Sequence, residues 1–207
     1  MTRLVLATAN PDKVREIEPL LTGAGVELVG VTDMVPEWEV VETGETLEDN
    51  ARIKARAAVV ATGEAAVADD TGLFVTALDG APGVRSSRFA GETATYRDNV
   101  ELLIDRLRKV PEDRRQAEFR TAVVIAKPNG TEHTFKGVLS GCITDSLRGD
   151  GGFGYDPVFE PCGEDLTLAE LPLSVKNTMS HRARAFIALA GFLMANPDWL
   201  EVTDPPV

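Results

Sequence analysis

Cysteine and histidine are scarce in this 207-residue chain, with two of each. Cys142 and Cys162 form no CxxC unit and lie far from any histidine pair, which excludes a disulfide framework and a zinc site and leaves two reduced thiols. His133 falls in a predicted strand, where it reads as structural or exposed, and no Ser-His-Asp or Cys-His arrangement has a motif behind it. Long apolar runs are missing as well. The start Met1-Thr2-Arg3-Leu4-Val5-Leu6 passes straight into a strand pattern without the h-region of a signal peptide, and no segment reaches membrane-spanning length. The expectation is a soluble, cytoplasmic protein with no membrane partner. Basic charge is also short: 21 Lys and Arg against 33 Asp and Glu give a net charge of −12. That argues against binding nucleic acid, which needs a basic face, but leaves room for a small anion met by a metal ion and a few cations. There is no Walker-type P-loop, internal repeat, linker or low-complexity stretch.

What is present is a chain with 43% hydrophobic residues, enough to bury a core as one large domain or two intimate lobes. The pattern is α/β from the outset. It predicts a strand over Arg3 to Thr8, a helix from Pro11 to about Thr22, a strand over Val26 to Val31, an irregular acidic loop, and a helix from about Leu47 to Ala61. A short strand ending before Asp69, another over Leu73 to Ala77, and a Gly/Pro loop at 80–83 follow. A helix from about Thr95 to Lys109 comes next, with Leu102, Leu103, Ile104 and Leu107 on its apolar side. Strands over Ala117 to Ala126 and Thr131 to Leu139 flank Pro128-Asn129-Gly130, a hairpin signal that makes the middle of the chain antiparallel. The last helix spans about Ser180 to Ala195, and the tail at 203–207 is expected to fray. A mixed sheet with helices on its faces and a hairpin-rich lobe fits this order, with a cleft between two lobes as the natural site.

Five segments carry chemistry. Asp69-Asp70-Thr71-Gly72 follows the apolar run Ala65 to Ala68. A strand ending in paired acids can hold magnesium against a phosphate, although the same residues also read as a polar turn. Thr8-Ala9-Asn10-Pro11-Asp12-Lys13 joins a strand to a helix, where free N–H groups, the helix dipole and Lys13 suit a phosphate; Asn10 as N-cap with Pro11 at the first helical position accounts for the same residues by folding alone. Asn50 and Lys54 lie four apart on one helix face and can reach triphosphate oxygens, while Glu42 in the preceding loop can ligate a metal; a solvated charged face is the competing reading. The glycine-dense stretch Gly149 to Pro157 holds Phe153, Tyr155 and Asp156, where an exposed ring can stack on a base. Ser180-His181-Arg182 opens the final helix, with Ser180 as N-cap and the next two side chains as donors. Lys13, Lys54 and Lys176, three of only six lysines, all fall in segments of this kind.

In this order the segments resemble the inosine triphosphate pyrophosphatase family, also called Ham1-like, nearly end to end: Leu6 to Lys13, Glu42-Thr43-Gly44, Asn50 to Lys54, Ala68 to Leu73, Gly80 to Gly83, Gly151 to Asp156, and Lys176 to Arg182. The resemblance implies an elongated α/β fold of two lobes, a homodimer, and magnesium-dependent hydrolysis of ITP, dITP or XTP to the monophosphate and pyrophosphate. Carried over by position, Thr8, Ala9, Asn10, Pro11, Asp12 and Lys13 form the phosphate segment, with Thr8, Asn10 and Lys13 holding phosphates. Glu42 and Asp70 would bind magnesium, with Asp70 also the general base and Thr71 beside it, and Lys54 would neutralise the triphosphate. Phe153, Gly154, Tyr155, Asp156, Lys176, His181 and Arg182 would form the base pocket. Ala9 stands where many relatives carry Gly, and Thr71 where many carry Ser; neither change removes a ligand or charge. Purine position 6, an oxygen in inosine and xanthosine and an amino group in adenine, should set substrate choice. Two other readings are a Maf-like nucleotide pyrophosphatase and a nucleotide-binding module without turnover. Asp69 could share Asp70's role, and Glu45 could replace Glu42.

Overall fold

A computed structural model describes residues 2–201, so the tail expected to fray at 203–207 lies outside the described residues. Seven strands, β1 (Thr2–Leu6), β2 (Val26–Gly30), β3 (Ala66–Val75), β4 (Pro82–Gly83), β5 (Gln116–Ala126), β6 (Glu132–Ile143) and β7 (Phe159–Pro161), hydrogen-bond in the order β2-β1-β3-β5-β6-β7, with β4 on β3, and six α-helices accompany them among the described residues. The fold is a mixed α/β sheet with flanking helices, as the pattern predicts.

The chain divides into two compact units. The first comprises residues 2–70, 121–137 and 182–201. Here β1 (Thr2–Leu6) pairs in parallel with β2 (Val26–Gly30) and with the start of β3 (Ala66–Val75). These short runs of Val, Leu and Ala suit strands covered on both faces, and Leu4, Val5, Leu6, Ala66 and Val67 are buried. Against them lie α1 (Pro11–Leu21), the one-turn α2 (Val31–Met34), α3 (Leu47–Thr62) and α6 (His181–Ala195). Ile17, Leu21, Val67, Val123, Ile125, Phe186, Leu189 and Leu193 make the core of this unit. Each such side chain contributes roughly 1.5–3 kcal/mol by leaving water. Asn10 caps α1, its Oδ1 accepting from the Asp12 N–H at 2.9 Å with Pro11 in the first turn; Thr46 caps α3, its side chain accepting from the Asp49 N–H at 3.1 Å.

The second unit comprises residues 71–120 and 138–181. The two-residue β4 (Pro82–Gly83) pairs antiparallel with the end of β3, and β7 (Phe159–Pro161) pairs antiparallel with β6 (Glu132–Ile143). Its core gathers Leu73, Val75, Leu103, Leu107, Phe119, Leu139, Ile143, Tyr155, Val158, Phe159 and Leu168. The helix α4 (Tyr96–Leu107) starts in a full capping box between Thr95 and Asp98, and buries Val100, Leu103 and Leu107, while Leu102 and Ile104 are only partly covered. A short helix α5 (Leu173–Met179) precedes α6.

Two differences from the sequence pattern bear on function. Asp69-Asp70-Thr71-Gly72 is no turn: all four residues lie within β3, which runs unbroken for ten residues. Gly72 is there because a Cβ would collide with the Gly83 carbonyl of the paired β4. The hairpin of β5 (Gln116–Ala126) and β6 is not confined to one lobe: residues 121–137 belong to the first unit and the strand bases to the second.

Candidate active site

At the end of β1 the chain turns through Thr8 and Ala9 into α1. Thr8 Oγ1 accepts from the Asn10 N–H at 3.2 Å, Ala9 and Pro11 are exposed, and the half-buried Asp12 pairs with Arg15 at 3.4 Å. Lys13, in the first turn, points its ammonium at β3: Nζ lies 3.1 Å from Asp69 Oδ2 and donates to the Asp69 carbonyl at 3.3 Å. A lysine at a helix N-terminus adds a full positive charge to free N–H groups, a combination suited to an anion.

Helix α3 supplies the next layer. Asn50 and Lys54, one turn apart, both reach Asp70: Asn50 Nδ2 donates to Oδ2 at 3.3 Å and Lys54 Nζ to Oδ1 at 3.1 Å. Asn50 works in two directions, because its Oδ1 accepts from the Gly44 N–H at 2.7 Å. That bond draws the 42–46 loop in so closely that a Cβ on Gly44 would meet the Asn50 side chain and backbone. The loop thereby brings Glu42 Oε1 to 3.1 Å from Lys54 Nζ, whereas Glu45 is exposed. Lys54 thus has carboxylates of Glu42 and Asp70 at equal distance.

The adjacent acids of β3 are driven apart electrostatically. Burial alone would raise Asp69, but Lys13, Arg182 and Lys54 outweigh it and hold its carboxyl far below the usual carboxylate range. For Asp70 burial prevails over the pull of Lys54 and Lys13, Glu42 adds its own repulsion, and the carboxyl is pushed up. Lys13 is lowered by burial despite Asp69, while Lys54 is raised because Asp70, Glu42 and Asp69 together overcome its desolvation. Two neighbouring carboxyls with opposite shifts differ in proton affinity: Asp69 holds its charge more firmly and Asp70 takes a proton more readily.

Arg182, at the start of α6, is 2% exposed and turns its guanidinium onto carboxylates. Nε and Nη2 donate to Asp69 Oδ2 at 3.3 and 3.2 Å, and Nη1 donates to Glu16 Oε2 at 2.5 Å. Glu16 belongs to no motif in the sequence; its one signal is its place one turn after Lys13.

In the second unit, Phe153, Asp156 and Lys176 are joined by direct contacts, with Gly154 next to Phe153 in the chain, whereas Tyr155 and His181 make their contacts with Ser86 and Phe119. Lys176 and Asp156, 3% and 2% exposed, form an ion pair at 2.5 Å, and Asp156 Oδ2 also accepts from the Phe153 N–H at 2.8 Å. The half-buried Phe153 ring lies with its centroid 5.4 Å from Lys176 Nζ and 5.7 Å from the Tyr96 ring. His181 is buried and stacks on Phe119 at 4.4 Å. Tyr155 is not the exposed ring expected of a glycine-rich loop. It is 4% exposed within the core, because its hydroxyl finds the Ser86 carbonyl at 2.8 Å, and Ser86 in turn accepts from the Leu73 N–H. Thr71 is half-buried on β3 beside Asp70.

The donors suit a hard divalent cation. Magnesium takes one or two carboxylates and fills its remaining positions with water and substrate phosphates. Glu42 and Asp70, each 3.1 Å from Lys54 Nζ, could supply such a pair, and among the described residues no cluster of three or more His, Cys, Asp or Glu offers a protein-only cage. No helix among the described residues is long and apolar enough to cross a membrane.

A mixed α/β fold that gathers two lysines, a helix N-terminus and several carboxylates in this way has the chemistry suited to a polyanionic ligand. The chain belongs to the Ham1 family, whose sequence profile matches residues 4–192. It is 48% identical to the dITP/XTP pyrophosphatase of Geobacter sulfurreducens over 193 residues, 93% of this chain and 97% of that relative. It is 44% identical to the dITP/XTP pyrophosphatase of Streptomyces coelicolor over 191 residues, 91% and 96% of the two chains. Among solved structures, a HAM1 protein from Coxiella burnetii superposes with a TM-score of 0.86 at 36% identity, covering 94% of this chain and 100% of that one. The nucleoside-triphosphatase, or dITP/XTP pyrophosphatase, of Mycobacterium abscessus superposes at 0.73 with 46% identity, covering 91% and 98%.

Proposed function

We propose that the protein is a dITP/XTP pyrophosphatase, cleaving abnormal purine nucleoside triphosphates, ITP among them, to the monophosphate and pyrophosphate. The observation that carries this reading is the convergence of Lys13, Lys54, Asn50 and Glu42 on the adjacent carboxyls Asp69 and Asp70. The relatives' activity and near-complete coverage support it.

Thr8, Asn10 and Lys13 hold the phosphates at the start of α1, and Lys54 offsets the triphosphate's charge. Asp70, raised by burial and oriented on both oxygens by Asn50 and Lys54, takes the proton of the attacking water as its oxygen bonds the α-phosphorus. The bond from the α-phosphorus to the bridging oxygen breaks, and pyrophosphate departs with the electron pair. Glu42 and Asp70 would hold magnesium, which when bound offsets the charge that builds on the leaving group. On the family resemblance, Phe153 would offer a ring to stack on the base, and Lys176 and His181 would offer donors to an oxygen at purine position 6. Adenine brings an amino group there and leaves buried donors without acceptors, a mismatch worth about 10⁴ in discrimination. The reading extends, on family resemblance, to a homodimer in the cytoplasm, the dimer being checked by light scattering.

The test is pyrophosphate release from dITP, XTP, ITP, GTP and ATP with magnesium and with EDTA. Turnover of the first three over ATP, lost in EDTA and restored by magnesium, is expected. Equal turnover of ATP would sink the substrate assignment, and no release from any of the five would sink the enzymatic one.

A further inference from the structure

Three buried charges and the half-buried Lys13 form an unbroken chain through the first unit. Glu16 on α1 is 4% exposed and grips Arg182 Nη1; Arg182 uses Nε and Nη2 on Asp69; Asp69 Oδ2 faces the Lys13 ammonium at 3.1 Å. Two anions and two cations alternate, so the set is neutral, which is the condition for burying it. The order matters for geometry. One oxygen, Asp69 Oδ2, is shared by Arg182 and Lys13, so the position of the guanidinium decides how much of that oxygen remains for the lysine. Glu16 holds the guanidinium from its far edge, where a planar fork with fixed donor directions resists being turned.

We propose that Glu16 is a positioning residue for the phosphate end of the site: by anchoring Arg182 it keeps Asp69 Oδ2 available to Lys13, and so keeps the Lys13 ammonium where a pyrophosphate or triphosphate group meets it. This deepens the nucleotide-pyrophosphatase reading and rests on it for the identity of the anion. It also assigns Arg182 work at the phosphate end, through carboxylates. Without the Glu16 charge the guanidinium closes onto Asp69, the shared oxygen turns with it, and Lys13 loses its carboxylate partner and keeps only the Asp69 carbonyl.

The test is a double-mutant cycle on the full chain, Glu16→Gln crossed with Lys13→Met, read by calorimetric titration with inorganic pyrophosphate and magnesium and, in parallel, by kcat and KM for dITP. In the wild-type background Glu16→Gln is expected to weaken pyrophosphate binding, and raise KM, about tenfold, on the scale of one charge-assisted contact, with kcat nearly unchanged. In the Lys13→Met background the same substitution should change nothing further, a non-additivity that a merely structural role would not produce. Equal effects in both backgrounds, no effect, or tighter binding would overturn the proposal. Should Glu16→Gln fail to fold, Glu16→Asp, which keeps the charge and shortens the reach, is read in the same cycle. Pyrophosphate binding separates the two ideas: a protein that binds pyrophosphate with the expected cycle but turns over no nucleotide retains the Glu16 role and loses the enzymatic reading.

Discussion

Replacing Lys176 with Met removes the ammonium from a pair in which both side chains are almost wholly buried, 3% exposed on each side. The Asp156 carboxylate keeps the Phe153 N–H but loses the charge that compensates its desolvation. Breaking a buried pair from one side costs about 3–5 kcal/mol, because the surviving charge is stranded in low dielectric. Against a total stability of about 5–15 kcal/mol this is a large fraction. For a chain of this size it corresponds to a fall in Tm of roughly 6–20 °C, at about 2–4 °C per kcal/mol. An exposed pair supplies the internal control: Arg97 and Glu101 are 77% and 54% exposed. Arg97→Ala should therefore cost no more than about 0.5 kcal/mol. Urea unfolding, followed by far- and near-ultraviolet circular dichroism to check that the transitions coincide, gives both numbers. The double variant Lys176→Met/Asp156→Asn, which removes both charges, should recover much of the loss. A cost below about 1 kcal/mol for Lys176→Met, with no recovery in the double variant, would refute the argument that desolvation dominates here.

Three further outcomes are expected. Thr46→Ala removes the N-cap of the helix that carries Asn50 and Lys54 and should cost about 1 kcal/mol in urea unfolding. Gly72→Ala drives a Cβ into the Gly83 carbonyl and should cost about 1–3 kcal/mol, visible as a lower unfolding midpoint. Burial pushes the Tyr155 phenol up, so the native state favours its neutral form. That contribution is complete below the free phenol's pKa of about 10 and is lost as pH rises beyond it. Stability should therefore fall above that pH in the wild type, and the fall should be smaller in Tyr155→Phe.

The parts of the site that were legible in the sequence are those that local geometry decides. Asn10 before Pro11 reads as a capped helix start, and the four-residue spacing of Asn50 and Lys54 puts both on one face; both hold in the structure. Asp69-Asp70-Thr71-Gly72 reads locally as turn chemistry, and long-range partners override it. Lys13 and Arg182 neutralise Asp69, Lys54 meets Asp70, and Gly72 answers the close approach of β4. Tyr155 was legible as an aromatic in a glycine-rich loop, but its burial depends on Ser86, 69 residues away. Glu16 was hidden for the same reason, its partner Arg182 standing 166 residues along the chain. The seven residues of α5 are too few for a helical period to stand out, and the same holds for the two and three residues of β4 and β7.

The central claim is that Asp70, rather than its neighbour Asp69, is the base in a pyrophosphate-releasing reaction. The most direct measurement is kcat for pyrophosphate release from dITP with magnesium by the wild type and by Asp70→Asn, which keeps the side chain's shape and removes its charge. The account predicts a folded variant with kcat lower by about 10²–10⁴, the range for loss of a positioned general base. An Asp70→Asn protein turning over dITP within about threefold of wild type would contradict it, since loss of a working base is far costlier than that.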